Sequence, residues 1–169
     1  RINGKRLPEY AYIKHVPTIA ITENEHRSLF SSAQTRRLFF DRILELFKED
    51  YRKAANHYET LLKKKNAYLR ELQETPELVS NQYLDILDEQ LAHAAIPLYN
   101  ARQWLFQALQ KADSNENVLN LDLRYLPSPS STPLDDAEKV CAAFQKERKR
   151  EILFGYSLTG PHKDDFRIF

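Results

Sequence analysis

Between Arg36 and Leu72 the apolar positions keep a seven-residue repeat. Leu44, Tyr51, Tyr58 and Leu72 share one register, and Phe47, Ala54, Leu61 and Tyr68 each follow three residues after the first of a repeat. That spacing puts them along one stripe of a long helix and predicts that the stripe is buried on another helix. Lys65 alone interrupts it, and a polar residue in a seam sets the pairing register or marks where the partner ends. A second run repeats the pattern, with Leu84, Leu91, Leu98, Leu105 and Ala112 in one register and Leu87, Ala94, Ala101 and Ala108 in the other. Thr75-Pro76-Glu77 reads as the start of that second helix, with a threonine cap, proline in the first turn and an acid at the positive end of the dipole. Two seams joined by a short polar connection predict an antiparallel helical hairpin.

Within the hairpin, Ser31 or Ser32 is placed to cap the first helix, which is expected to break near Lys48 to Asp50. Pro97 removes one hydrogen bond inside the second helix at a cost of about 3 kcal/mol unless the helix bends, so a kink is expected near Ala94. The flanks carry strand patterns. Asn3-Gly4 is a hairpin-turn signal, and His15 to Thr22 reads as a short buried strand with Pro17 at its start. Leu119, Leu121, Leu123 and Tyr125 alternate with polar residues, residues 127–133 resemble a linker, and Asp165 to Phe169 alternates again. Asp135 and Asp136 open a third helix expected to run to about Arg150, its last turn basic to match the dipole. The chain is therefore expected to be α+β and mostly α, an antiparallel helical hairpin flanked by short strands. Its divisions are 1–30 (strands and connection), 31–112 (hairpin arm), 113–150 (strand, linker and third helix) and 151–169 (return strand). The opening turn lacks a strand before it, the final strand stops as it begins, and no methionine occurs, so the sequence reads as an internal piece of a larger protein.

Composition narrows the function classes. The 169 residues suit one domain, and 29% charged residues with three glycines suit a helix-rich one. No apolar run approaches the roughly 20 residues that span a bilayer, so a soluble protein is expected. Cys141 is the single cysteine, which excludes an internal disulfide and points to a reducing, cytoplasmic compartment. A net charge of +1 carries no global argument for nucleic acid, so any basic footprint is local. Candidate patches are Arg36 with Arg37, Lys63 to Lys65, and Lys146, Arg148, Lys149 and Arg150. Each also suits a solvated helix face.

The string Gly160-Pro161-His162-Lys163-Asp164-Asp165 is the most unusual in the chain. Glycine and proline shape a turn, and imidazole and carboxylates beside it are suitable ligands for a divalent metal. The remaining histidines, His15, His26, His57 and His93, show no ligand spacing, so no metal site is assigned. Cys141 sits among Val140, Ala142 and Phe144 and reads as a packed thiol. The phosphate-loop pattern G-x-x-x-x-G-K-[ST] is absent.

Four segments carry a family resemblance. Arg36-Arg37-Leu38-Phe39-Phe40-Asp41 resembles the R-R-R-F-L-D element of the RecF family of DNA replication and repair proteins. Tyr58 with Leu62, Lys63, Lys65 and Asn66 is similar to its Y-x-x-x-L-K-Q-R-N-x-L-L helix. Asp88-Glu89-Gln90-Leu91 resembles W-D-x-Q-L, and Gly155 to Asp165 resembles G-x-T-x-x-G-P-H-R-D-D. The segments fall in the family's order, from about Ile2 to the end. Departures mark a divergent member: Thr22-Glu23-Asn24 replaces a usual Pro-Glu-Asp, Ser31 and Ala33 replace a glycine and a proline, Leu87 replaces tryptophan, and Lys163 replaces arginine.

The resemblance implies a relative of the SMC and ABC-type ATPases, a weak ATPase whose head carries a phosphate loop, a signature and a Walker B acid, with a helical arm inserted between the head's halves. It implies ATP and Mg in the parent, an ATP-driven homodimer, DNA gaps or junctions held in the resulting clamp, and RecR and RecO as partners in loading recombinase. This piece would hold the arm and the strands by which it leaves and re-enters the head, with no hydrolysis of its own. Arg36, Arg37, Lys146, Arg148, Lys149 and Arg150 are the expected DNA contacts, and Gly160 to Asp165 a family motif near the head. Two other readings stay open: a hairpin adaptor that docks a protein partner without DNA or ATP, and a metal-dependent hydrolase using His162, Asp164 and Asp165.

Overall fold

A computed structural model describes residues 22–23, 27, 29–75, 81–116, 123–130 and 132–168, with Gly4 and Arg6. The strand expected at 15–22 lies outside these save for Thr22, as do Asn3 of the opening turn and the leucines at 119 and 121. The elements are α1 (Ala33–Phe47), α2 (Tyr51–Glu74), α3 (Asn81–Glu116), β1 (Leu123–Leu126), α4 (Ala137–Phe154), a single 3₁₀ turn (Pro161–Lys163) and β2 (Asp165–Ile168). Among the described residues no helix is long and apolar enough to cross a membrane.

Ser32 caps α1, its hydroxyl accepting from the Thr35 N–H at 3.3 Å. Lys48, in extended backbone, ends that helix and separates it from α2, so the break falls in the expected stretch. Phe47 consequently leaves the seam and is exposed. Helices α2 and α3 pack antiparallel: Tyr68 meets Tyr83, Lys65 meets Asp88, and Tyr51 meets Arg102, partner numbers rising as the others fall. Leu84, Leu87, Leu91, Ala94, Leu98 and Leu105 are buried as their spacing predicts. Pro97 lies within α3 on its exposed side.

Thr75 closes α2, its N–H and hydroxyl both reaching the Glu71 carbonyl, and the rest of the helix start read at Thr75-Pro76-Glu77 lies outside the described residues. Two expectations need correction. The α3 seam stops at Leu105, for Ala108 and Ala112 are exposed while Phe106 is buried. Past Arg102, Phe106 packs on Phe40 of α1 and on Tyr125 and Phe166 of the two strands, and Gln110 donates to the Leu123 carbonyl. Finally, α4 runs past Arg150 to Phe154, where Gly155 takes the left-handed conformation (φ 72°) that stops helices.

Strands β1 and β2 pair antiparallel, Leu123 opposite Ile168 and Leu126 opposite Asp165. Their inner side meets the helices through Phe40, Phe106, Phe166 and Tyr125, with Phe40 4.8 Å and Phe106 5.0 Å from Phe166 between ring centroids. Each such pair adds about 0.5–1.5 kcal/mol beyond burial. Leu69, Leu72 and Leu84, with Tyr68 and Ile152, form a smaller cluster towards the hairpin turn.

Candidate functional site

The Gly160 to Asp165 turn is held by side chains from α1, α2, α3 and β1. Gly160 adopts φ 139°, ψ 176°, backbone that is essentially restricted to glycine, and a Cβ there would overlap the Tyr58 hydroxyl. Beyond it the chain makes one 3₁₀ turn and enters β2. Tyr58 and His162 form a hydrogen bond of 2.7 Å at Nδ1, and His162 Nε2 lies 3.1 Å from the Ser157 carbonyl. A carbonyl only accepts, so Nε2 carries the proton and Nδ1 accepts from the tyrosine. Burial pushes the imidazole down to about 4, which agrees with a neutral ring.

Asp164 is fully buried and accepts at both oxygens. Arg102 Nη1 (2.6 Å) and the Tyr125 hydroxyl (2.7 Å) bind Oδ2, and the Ser128 N–H (2.8 Å) binds Oδ1. Burial lifts this carboxyl above its ordinary value against the pull of Arg102. Arg102 also donates to the Pro161 carbonyl and grips Asp41 with Nε and Nη2, while Tyr51 donates to the same aspartate. Burial opposes the charge on Arg102, but Asp41, Tyr51 and Asp164 outweigh it and keep the guanidinium protonated. The arginine ties α1, α2, α3 and the turn together.

Arg36 forks onto Asp165 at 2.8 and 3.0 Å, and Arg37 donates to the Asp164 carbonyl at 2.6 Å. Partial burial works against it, but the Arg36 fork and the Phe166 N–H hold the Asp165 carboxyl below its ordinary value. The arginine pair read from the sequence as a DNA contact is thus occupied in clamping α1 to the start of β2.

A second buried network lies deeper in the hairpin. Lys65 Nζ sits 2.7 Å from Asp88 Oδ1 and 2.6 Å from Glu151 Oε2, ion pairs by distance whose angles depart from the line of a hydrogen bond. All three residues are within 1% of full burial. Arg148 binds Asp88 and Asp85 at 2.7 and 2.8 Å. Glu151 accepts from the Ser157 hydroxyl and the Leu158 N–H, and Asn66 accepts from the Ser157 N–H. Lys65, the one polar intrusion in the seam, joins α2 to α3 and α4.

Of the other candidates, Lys146, Lys149 and Arg150 are exposed on α4, and Lys163 is exposed beside Tyr156. Gly160 and Pro161 are buried. His162, Asp164 and Asp165 reach separate partners, and among the described residues no group of three His, Cys, Asp or Glu is placed to hold a metal ion. Cys141 is half-buried, and burial pushes its thiol up, away from the reactive thiolate. Tyr51 and Tyr125 are legible in the sequence only as buried positions, and Arg102 and Glu151 carry no site signal of their own there. What the sequence holds for these two is position: Arg102 follows Leu98 and Tyr99 on the buried side of α3, and Glu151 continues the stripe of Val140 and Phe144. The acids, arginines, tyrosines and imidazole of this arrangement are engaged with one another. Its chemistry is mechanical, fixing the direction in which β2 leaves the hairpin.

The four segments that carry the resemblance are one physical network. Arg36 and Arg37 meet Asp164 and Asp165, Tyr58 meets His162, and Lys65 and Asn66 meet Asp88, Glu151 and Ser157. No family model matches the chain. It is similar to the DNA replication and repair protein RecF of Pediococcus pentosaceus, 30% identical over 168 residues, covering 93% of this chain and 44% of the relative. The Enterococcus faecalis protein of the same name is 31% identical over 180 residues, covering 97% and 46%. In structure the chain resembles the recombination mediator protein RecF in its ATP-bound form, with a TM-score of 0.78 at 20% identity over 88% of this chain and 42% of that one. A second structure of that mediator, RecF-ATPrS, has a TM-score of 0.77 at 19% identity, again over 88% and 42%. The chain thus spans about 44% of the length of the first curated relative it matches.

Proposed function

The chain belongs to the RecF family as a divergent member, and from that premise we propose that it is the helical arm, with its junction to an ATPase head, of a protein that clamps DNA under ATP control. In this reading residues 31–112 are the arm, and the flanking 1–30, 113–150 and 151–169 join it to the head. The observation that supports it most is the network itself. Residues of four separated segments, matched to the family one by one, are the partners that fix the return strand against the arm. A head that closes on ATP needs such a rigid lever, because a coupling between sites requires an element with defined positions. ATP and Mg would be held by residues outside this sequence. The DNA partner is a gap or junction, the protein partners are of the RecR and RecO type, the compartment is the cytoplasm, and the working state is a nucleotide-dependent homodimer.

The test is binding of gapped duplex DNA by the protein that carries this chain, with ATP and without, followed alongside its mass in solution. ATP is expected to shift it to a dimer and tighten the complex. A monomer whose DNA affinity ignores ATP would overturn the reading and leave the adaptor in its place.

A further inference from the structure

Helix α4 carries a surface that the internal networks leave unused. Lys146, Lys149, Arg150, Leu153 and Phe154 recur at the three- and four-residue intervals that bring side chains onto one face, and all are exposed. Val140, Phe144 and Glu151 mark the buried side. At 1.5 Å per residue the stripe covers about 12 Å of helix. Tyr156 prolongs it beyond the helix end: its ring lies 6.1 Å from that of Phe154, and Lys163 Nζ stands 5.1 Å from its centroid. Leu153, Phe154 and Tyr156 are 70%, 49% and 41% exposed.

Dipole complementarity does not account for the cations, because the last turn of α4 holds none of them. Internal pairing does not either. Arg36, Arg37 and Arg148 are spent on Asp165, Asp164 and the pair Asp85 and Asp88, whereas Lys146 and Lys149 have no ion-pair partner among the described residues. Among the described residues Arg150 pairs with Glu147, three residues earlier on the same helix, with the arginine 66% exposed, a surface pair of the weak kind that a phosphate can displace.

We propose that this stripe binds single-stranded DNA, with phosphates on Lys146, Lys149, Arg150 and Lys163 and bases stacked on Phe154 and Tyr156. Cations attract either form of DNA, but exposed rings discriminate. In a duplex the base faces are already stacked on one another, whereas a single strand offers a π-face at every base. Leu153 supplies the apolar surface beside the rings. The inference rests on the DNA-binding reading above and names the part of the DNA that this face holds.

The experiment uses the whole protein carrying this chain, fluorescein-labelled oligothymidylate, a duplex of equal length and a salt series. The double variant Phe154→Ala, Tyr156→Ala is expected to bind oligothymidylate about tenfold more weakly while duplex affinity stays within about twofold. Tyr156→Phe keeps the ring and is expected to bind as the parent does. Lys149→Ala with Arg150→Ala lowers the salt slope by about 1.4, two single-strand phosphate contacts. All these side chains are exposed, and unchanged melting temperatures check that the variants fold. If the parent binds oligothymidylate and the double variant binds it equally well, the stripe is overturned and the DNA reading stands. If the variant loses only a protein partner, the stripe is likewise overturned. If the parent binds no DNA at all, both readings fall together.

Discussion

The Tyr58 hydroxyl and His162 Nδ1 meet at 2.7 Å directly beside Gly160, whose missing side chain leaves the room for that hydrogen bond. Helix α2 thereby reads the shape of a turn 104 residues away. Because the histidine must be neutral to accept this bond, the contact titrates.

Burial holds the His162 imidazole at about 4 in the folded chain against an ordinary 6.5. Below pH 6.5 the unfolded chain takes up a proton that the folded chain refuses until about pH 4. Stability from this group is therefore fully present above pH 6.5 and declines as the pH falls towards 4, by at most about 3 kcal/mol. His162→Gln removes the titration, so its urea midpoint is expected to fall less between pH 7.5 and pH 5 than that of the parent. Equal falls would reject the assignment.

Gly160→Ala sets a methyl group against the Tyr58 hydroxyl and forces alanine into glycine-only backbone. A loss of about 1–3 kcal/mol is expected from the backbone alone. Adding Tyr58→Phe removes the overlap, so the double variant should melt above Gly160→Ala yet below the parent. A double variant no better than the single one would show that the hydroxyl is not the obstacle.

Arg102→Met leaves Asp164 buried with its charge uncompensated. The expected cost is about 3–5 kcal/mol in urea unfolding. Asp164→Asn in that background replaces the carboxylate by a neutral amide, and part of the loss should return. Two substitutions whose costs simply add would mean that the residues are not coupled.

Lys63 and Lys65 belong to one basic run, but Lys63 pairs with Glu59 in solvent while Lys65 is buried between Asp88 and Glu151. Lys65→Met is expected to cost about 3–5 kcal/mol, since two buried carboxylates lose their shared cation. Lys63→Met should stay within about 0.5 kcal/mol. Chemical denaturation of both variants distinguishes a structural ion from a surface one, and similar values would place Lys65 in water.

The sequence by itself determined the hairpin, because a seven-residue apolar period can be buried only along one helix stripe, and Leu84 to Leu105 lie where that stripe requires. It also placed the starts of α1 and α4 at short polar pairs, Ser31 or Ser32 and Asp135 with Asp136, of which Ser32 and Asp136 answer backbone N–H groups three residues on. These are local relations, carried by the chain within one or two turns. Tertiary structure decided what each charge was for. Lys65 and Glu151, or Arg36 and Asp165, stand far apart in the chain, and a charged side chain reads the same whether its partner is water, a phosphate or a buried carboxylate. Period tells which face is covered but not what covers it, so the seven-residue period runs on to Ala108 and Ala112, which are exposed, while Phe106 is buried against Phe40 and Phe166. The same limit hid Arg102, whose role exists only where three helices and the Gly160 to Asp165 turn close around it.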